Sequence, residues 1–348
     1  MAQLWVSFAS DTEDNQPSYV PGWQSIGSNY DANPSILSWS WCKYWPDLSE
    51  CFKSKDVPVS WLIRTDDGPV RDHMLSLFRD EILELRSNGD EIGIHIHTFA
   101  WNRELSRWTQ TTNPKNQTRI VLRSLDMFKE KLGFAPSCTR MGWNTMSNEI
   151  MKTLEANGIL ADSSAIPGTC SLGKFGKRDN IYDWSRAPNR PYHPSHEDYQ
   201  KPGNMNILEI PISTHETSKP TLLTSLTNKL SATRGSSLLL ELVPLARMFN
   251  INPNYGFYVS PWWSLTPAIR TIKAYQTKAL QDGIAYLVGF FHGHDILNPK
   301  TGEKNLIFEK YLSRIIKEIL SLHGIEITFA TLSEIAKKYE RDENSIHF

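Results

Sequence analysis

The chain contains no uninterrupted apolar run near the roughly 18 to 20 residues that a membrane-spanning helix needs. Its first residues, Met1-Ala2-Gln3-Leu4-Trp5, lack a basic stretch ahead of a hydrophobic signal core. The sequence as it stands therefore reads as soluble, unexported and cytoplasmic. A surplus of one charge is also missing: 37 Lys and Arg stand against 38 Asp and Glu. That balance argues against affinity driven by a basic surface, and so against a nucleic-acid partner. Cysteine is scarce, and Cys42, Cys51, Cys138 and Cys170 are spaced as neither CxxC pairs nor a disulfide framework. They are expected as buried, reduced thiols. No Gly/Ser or Pro-rich linker, charge block or internal repeat divides the 348 residues, which predicts a single domain over 1–348. What is there, 40% hydrophobic and 11% aromatic residues against 22% charged, is the composition of a folded enzyme with a substantial core.

Short apolar runs with strand-like content recur at Leu4 to Ala9, Val57 to Ile63, Ile92 to His97, Ile159 to Ala161, Ile207 to Ile212, Leu238 to Val243, Ile284 to Phe291 and Ile325 to Phe329. Between several of them the apolar spacing changes to three and four residues, predicting helices over Met74 to Arg86, Thr118 to Leu132, Ser147 to Ala156 and Pro267 to Leu280, each stopping near Asn or Gly. Alternation of near-continuous apolar strands with helices implies an α/β fold with a parallel sheet, open or closed into a barrel. From Thr169 to Asn206 the rhythm breaks into a Pro-, Asn-, Arg- and aromatic-rich stretch, expected as an irregular insertion over the site.

Parallel sheets place chemistry at the carboxyl ends of their strands. Polar residues gather there: Asp11 to Asn15 after the first run, Arg64-Thr65-Asp66-Asp67 after the second, His95-Ile96-His97 on the third, Arg140-Met141-Gly142-Trp143 after Cys138-Thr139, Asp162 after Ala161, and His292-Gly293-His294-Asp295 after the late run. His95 and His97 are two apart on a strand, so both imidazoles face one side and can meet one cation. Asp11 and Glu13 share a side in the same way if the first strand extends that far. Two His, one carboxylate and an open position make a zinc-like site, with the other carboxylate left to act as a base. His292 or His294 would serve as acid for a leaving group. Arg140 would hold Asp11 ionised by a bidentate pair, or form a plain surface ion pair. Several of the twelve Trp sit in loop-like contexts, Trp143 among them, and could stack on the apolar face of a sugar ring.

Taken together these motifs resemble the polysaccharide deacetylase superfamily, the NodB-homology group of carbohydrate esterases. The resemblance runs from Trp5 to about Lys338 and implies a distorted (β/α) barrel that hydrolyses acyl groups on sugars with a divalent metal, commonly zinc. Ser10-Asp11-Thr12-Glu13-Asp14 is similar to the family's D-x-E/D variant, which would make Asp11 the base and Glu13 a metal ligand. Glu91-Ile92-Gly93-Ile94-His95 matches the approach to its first histidine ligand. The usual second histidine lies four residues on, where this chain has Phe99, so His97 must supply the second imidazole. Arg140 corresponds to the arginine that positions the base. Phe290-Phe291-His292 meets the final motif, as His294-Asp295 does loosely, and the choice between His292 and His294 stays open. Ile327 to Ile335 is similar to the closing strand and helix. Thr65-Asp66-Asp67-Gly68-Pro69 imitates the family's acidic motif but follows the second strand, which leaves Asp66 or Arg64 to line the pocket; Trp143, Asp162 and Asp66 are the expected substrate contacts.

The expected function is removal of an N-acyl group, acetyl or formyl, from an amino sugar, with a nucleotide-linked or lipid-linked precursor of a surface polysaccharide favoured as substrate. Two rivals remain at this stage. An amidohydrolase-type metal barrel also uses HxH, but at its first strand. A catalytically silent carbohydrate-binding barrel would account for the missing i+4 histidine.

Overall fold

The computed structural model describes residues 1–13, 39–66, 73–102, 107–172, 181–216, 254–260, 265–296, 303–304 and 306–346. Eight strands form one sheet: β1 (Ala2–Thr12), β2 (Val59–Arg64), β3 (Glu91–Ile96), β4 (Cys138–Met141), β5 (Ala161–Asp162), β6 (Leu208–Glu209), β7 (Ile284–His292) and β8 (Ile325–Phe329). Their order is β6-β5-β4-β3-β2-β1-β7, with β8 also on β1, and every pairing is parallel. β1 pairs β7 along nearly its whole length. Its other edge is shared: β8 takes residues 2–6 and β2 takes residues 8–12.

Curvature brings the far edge back toward β7. After β6, Ile210 N donates to Asp162 O, Ile212 N to Ala165 O, and Ser213 N to Val288 O on β7. Phe257 N then donates to Ser213 O, and Phe290 N to Phe257 O. These irregular residues close the ring that short β5 and β6 leave open, giving the distorted barrel expected from sequence.

Helices cover the outside: α1 (Trp45–Lys53), α2 (His73–Leu77), α3 (Arg79–Ser87), α4 (Pro114–Leu132), α5 (Asn148–Ala156), α6 (Leu265–Asp282), α7 (Leu306–Leu320) and α8 (Leu332–Ile346). α4 starts with Pro114 and an Asn113 side chain that accepts from Asn116 N, and it stops at Gly133 with φ 81°. The helix expected over Met74 to Arg86 is two helices, broken at Phe78 (φ −125°, ψ 29°), whose ring meets Trp45 edge-on at 6.1 Å. The buried aromatics Phe8, Trp45, Phe52, Trp61, Phe257 and Phe291 belong to the larger of two buried clusters, while a smaller one packs Leu332 and Ile335 of α8 with Ala9, Leu62 and Val288 of the sheet. At the amino ends of the strands, Glu91 accepts from Ser60, Ser137 and the Ser333 backbone, fastening α8 to the sheet.

Other differences from the sequence reading are local. Cys170 is exposed on an antiparallel hairpin (Cys170–Leu172 with Ile181–Asp183), while Cys42, Cys51 and Cys138 are buried as expected, and none of the four is in a disulfide. Within the irregular insertion, residues 184–206 are closely packed, with Trp184 and Tyr192 buried and Trp184 Nε1 donating to Asn144 O. The run Leu238 to Val243 lies outside the described residues, as do Asp14, Asn15, Asp67, Trp262 and Trp263. No helix among the described residues is long and apolar enough to cross a membrane.

Candidate metal and catalytic centre

Parallel register sets the site. Arg64, His95 and Arg140 are successive partners across β2, β3 and β4, and Asp11 pairs with His292 across β1 and β7. β1 runs on to Thr12, so Asp11 and Glu13 emerge on one side at its carboxyl end, as do His95 and His97 at the end of β3. All four are nearly inaccessible, between 2% and 7% exposed.

Glu13, His95 and His97 converge, with ligand-type atoms all within 4.8 Å of one another. Glu13 Oε2 is the focus, 3.0 Å from His97 Nε2, 3.8 Å from His95 Nε2 and 3.5 Å from Arg64 Nη1. Burial pulls His95 down to about 4, against the opposing pull of Asp11 and Glu13. Burial, and next the Arg64 charge, pulls His97 down to about 3. Both rings are thus neutral near neutral pH, the form that ligates a metal, and His95 Nδ1 is a buried nitrogen with no hydrogen-bond partner among the described residues. Two neutral imidazoles and one carboxylate suit a divalent cation, so the residues present fit the metal that the sequence resemblance implies.

His97 is seated by its neighbours. Phe99 stacks on it at 5.0 Å and 8°, and Trp143 meets it edge-on at 5.6 Å. On the remaining side lies Gly142, where a Cβ would fall 2.4 Å from the imidazole. Trp143 (φ 54°) and Asn144 (φ 56°) hold left-handed backbone, a strained state for such side chains that lets the chain turn tightly behind the ring. Phe99, where the sequence resemblance expects a histidine, is thus a packing partner of His97.

Beside the cluster, Arg140 Nη1 donates to Asp11 Oδ1 at 2.8 Å, while its Nε and Nη2 donate to Ser163 O and Oγ at 2.6 and 3.1 Å. Burial alone would raise Asp11; Arg140 foremost, with His95 and His292, holds it below the usual carboxylate range. His292 Nε2 lies 3.8 Å from Asp11 Oδ2 and 3.7 Å from Glu13 Oε1, and its side chain, 22% exposed, is more open than those of Asp11 and Glu13. Behind it, Tyr258 hydroxyl is 3.2 Å from His292 Nδ1 and donates to Asp295 at 2.9 Å. Asp295 also accepts from Ser260 Oγ and from the His292 backbone N–H. Burial, then Asp295, pushes the Tyr258 phenol well up, so it stays a donor.

The structure thus brings together Asp11, Glu13, His95, His97, Arg140 and His292, with half-buried Trp143 at the margin. The His294 side chain lies outside the described residues. Asp66 and Asp162, grouped with the pocket lining from sequence, are both completely buried: Asp66 accepts from Arg64 Nε at 2.8 Å, and Asp162 from Ser164. Gly142, Tyr258 and Ser260 escape the sequence reading. The alternation Phe257-Tyr258-Val259-Ser260, apolar in and polar toward His292, is the signal that could have located the last two.

No family model matches the sequence, and no curated protein matches it. Among solved structures, a Mycobacterium smegmatis protein designated a polysaccharide deacetylase superposes with a TM-score of 0.55 at 14% identity, covering 98% of this chain and 92% of its own. A Pseudomonas aeruginosa PAO1 protein with the same designation gives 0.50 at 16% identity over the same shares. At these identities the likeness is one of fold, and it agrees with the barrel that the sequence resemblance implies: this chain has the fold of the polysaccharide deacetylases.

Proposed function

We propose that the protein is a metal-dependent hydrolase that removes an N-acyl group, acetyl or formyl, from an amino sugar. One observation supports this reading above the others: an arginine-held carboxylate, Asp11, stands beside a buried Glu-His-His cluster, with His292 within 3.8 Å of both carboxylates. A divalent cation, zinc being the natural choice for two imidazoles and a carboxylate, would be held by Glu13, His95 and His97 and would supply Lewis acidity to the acyl carbonyl.

The chain's own groups divide the proton work. Arg140 occupies Asp11 Oδ1, which leaves Oδ2 to take a proton from an attacking water as its oxygen adds to the acyl carbon. His292 Nε2 approaches Asp11 from the open side, placed to protonate the amine as the C–N bond breaks. Tyr258 and Asp295 hold that ring from behind. Trp143 offers an indole edge-on to His97 and Phe99 at the margin, suited to the apolar face of a sugar ring. Substrates in this reading are acylated amino sugars carried by a nucleotide, a lipid or an oligosaccharide, of the kind used to build surface polysaccharides.

The test is elemental analysis of the purified protein beside its His95→Ala, His97→Ala double variant, followed by a screen of acylated amino sugars for released acetate or formate. About one equivalent of divalent metal, lost in the variant, together with released acid supports the proposal. A protein that takes up no metal on reconstitution and releases no acid refutes it, in favour of a sugar-binding barrel without the chemistry.

A further inference from the structure

Arg140 has a second support on the side away from Asp11. Asp162 and Glu209 are register partners on β5 and β6, both with no exposed surface. Asp162 accepts from Ser164 Oγ at 2.9 Å and from Ser164 N at 3.1 Å, and Glu209 Oε1 accepts from Ala165 N at 3.0 Å. Between these anchors lies Ser163, whose carbonyl and hydroxyl receive Arg140 Nε and Nη2. Ser164 Oγ also accepts from Met141 N, tying the same segment to the strand that carries Arg140.

Two neighbouring carboxyls without solvent cannot both stay ionised. Burial first, and the Asp162 charge second, push Glu209 well up, and burial raises Asp162 as well. The two carboxyls share a side-chain hydrogen bond, so the pair retains one proton between them. The pair therefore offers three acceptor contacts to Ser164 and Ala165 while adding a single negative charge beneath a buried guanidinium.

A guanidinium is planar and rigid, so fixing Nε and Nη2 also fixes where Nη1 points. We propose that Asp162 and Glu209 are a positioning pair that clamps Ser163–Ala165 and thereby aims Arg140 at Asp11. The catalytic consequence rests on the deacetylase reading above; the structural consequence does not.

Three proteins test this: wild type, Glu209→Gln, which imitates a neutral acid, and Glu209→Ala, which releases Ala165 N. Infrared difference spectra at neutral pH should show a protonated-carboxyl stretch in wild type that is absent from Glu209→Gln. The Arg140 Nε–H resonance should stay protected from solvent exchange in wild type and Glu209→Gln and lose protection in Glu209→Ala. With an active substrate, Glu209→Gln should keep kcat within about twofold, whereas Glu209→Ala should lose about tenfold to a hundredfold in kcat at unchanged KM and metal content, the scale of a misaimed catalytic group. If Glu209→Ala does not fold, Ser163→Ala, which removes only the Nη2 acceptor, should show the same pattern more weakly. Absence of the acid band, or a folded Glu209→Ala protein with wild-type Arg140 protection, overturns the proposal. Inactivity of all three proteins with both spectroscopic signatures in place would instead refute deacetylation and uphold the pair.

Discussion

In the proposed metal centre, Gly142→Ala is the smallest change that should unseat His97. A Cβ there would lie 2.4 Å from His97 Cγ, Cδ2 and Nδ1. Non-bonded carbons rest about 3.5 Å or more apart, so the ring must retreat by about 1 Å. It has little room to do so, since buried Phe99 stacks on it and Trp143 stands against its edge. Metal–imidazole bonds hold at about 2.0–2.1 Å, and a shift of about 1 Å takes Nε2 out of range. Losing one of three protein ligands should weaken metal binding by about a hundredfold or more, beyond what disturbing an outer partner costs, which corresponds to about 2.7 kcal/mol. Overpacking should lower stability by about 1–3 kcal/mol besides. Chelator competition on folded protein, with thermal midpoints beside it, separates the two effects. Gly203→Ala is the control: its Cβ would fall 2.4 Å from the Ser195 backbone, an equal clash with no site residue, so it should cost stability and leave metal affinity alone. A Gly142→Ala protein that binds metal as tightly as wild type would refute the assignment of His97.

Asp11→Asn should cut kcat by about 10² to 10⁴, the usual contribution of a positioned base, while elemental analysis finds the metal still bound. Arg140→Lys cannot span Ser163 and Asp11 together; with the foremost influence that lowers Asp11 weakened against burial, the acid limb of the kcat/KM profile should move to higher pH. His95 and His97 are held far below the unperturbed value near 6.5, so the unfolded metal-free chain binds more protons than the folded one between that pH and about 4 or 3. Their contribution to stability is complete above about pH 6.5 and falls as pH drops through this window; urea titrations from pH 7 to 4 should show that slope, and it should flatten in a His95→Gln, His97→Gln variant.

Much of this was legible because strand chemistry is local. The runs at 284–291 and 325–329 correspond to β7 and β8 almost to the residue, and HxH on β3 follows from the two-residue repeat alone. β5 and β6 are shorter than their apolar runs; beyond β6, Ile212 N turns to Ala165 O and Ser213 N to Val288 O on β7. The break at Phe78 was hidden because the ring it packs against, Trp45, is remote in sequence. Helix α7 is a different case. Its buried stripe Phe308, Tyr311, Leu312, Ile315, Ile316 and Ile319 has the helical spacing read elsewhere, yet it was not among the expected helices. In the site, motif order singled out Asp11, Glu13, His95, His97 and Arg140 and left His292 and His294 both open, whereas the seclusion of Asp66 and Asp162 depends on neighbours that only the folded sheet supplies.

The divided edge of β1 bears on the order in which the protein can assemble. Gln3 pairs with Ile284 on one side and Glu326 on the other, so the strand that carries Asp11 waits for segments made almost a full chain later. Closing such distant ladders is slow compared with forming helices, and a growing chain would present β1 as an open edge until residues 284–329 arrive. For a growing chain, bringing His292 on β7 beside Asp11 is thus a late step. Any truncation that removes β8 should leave residues 2–6 of β1 available to pair with another molecule, turning a folding defect into association.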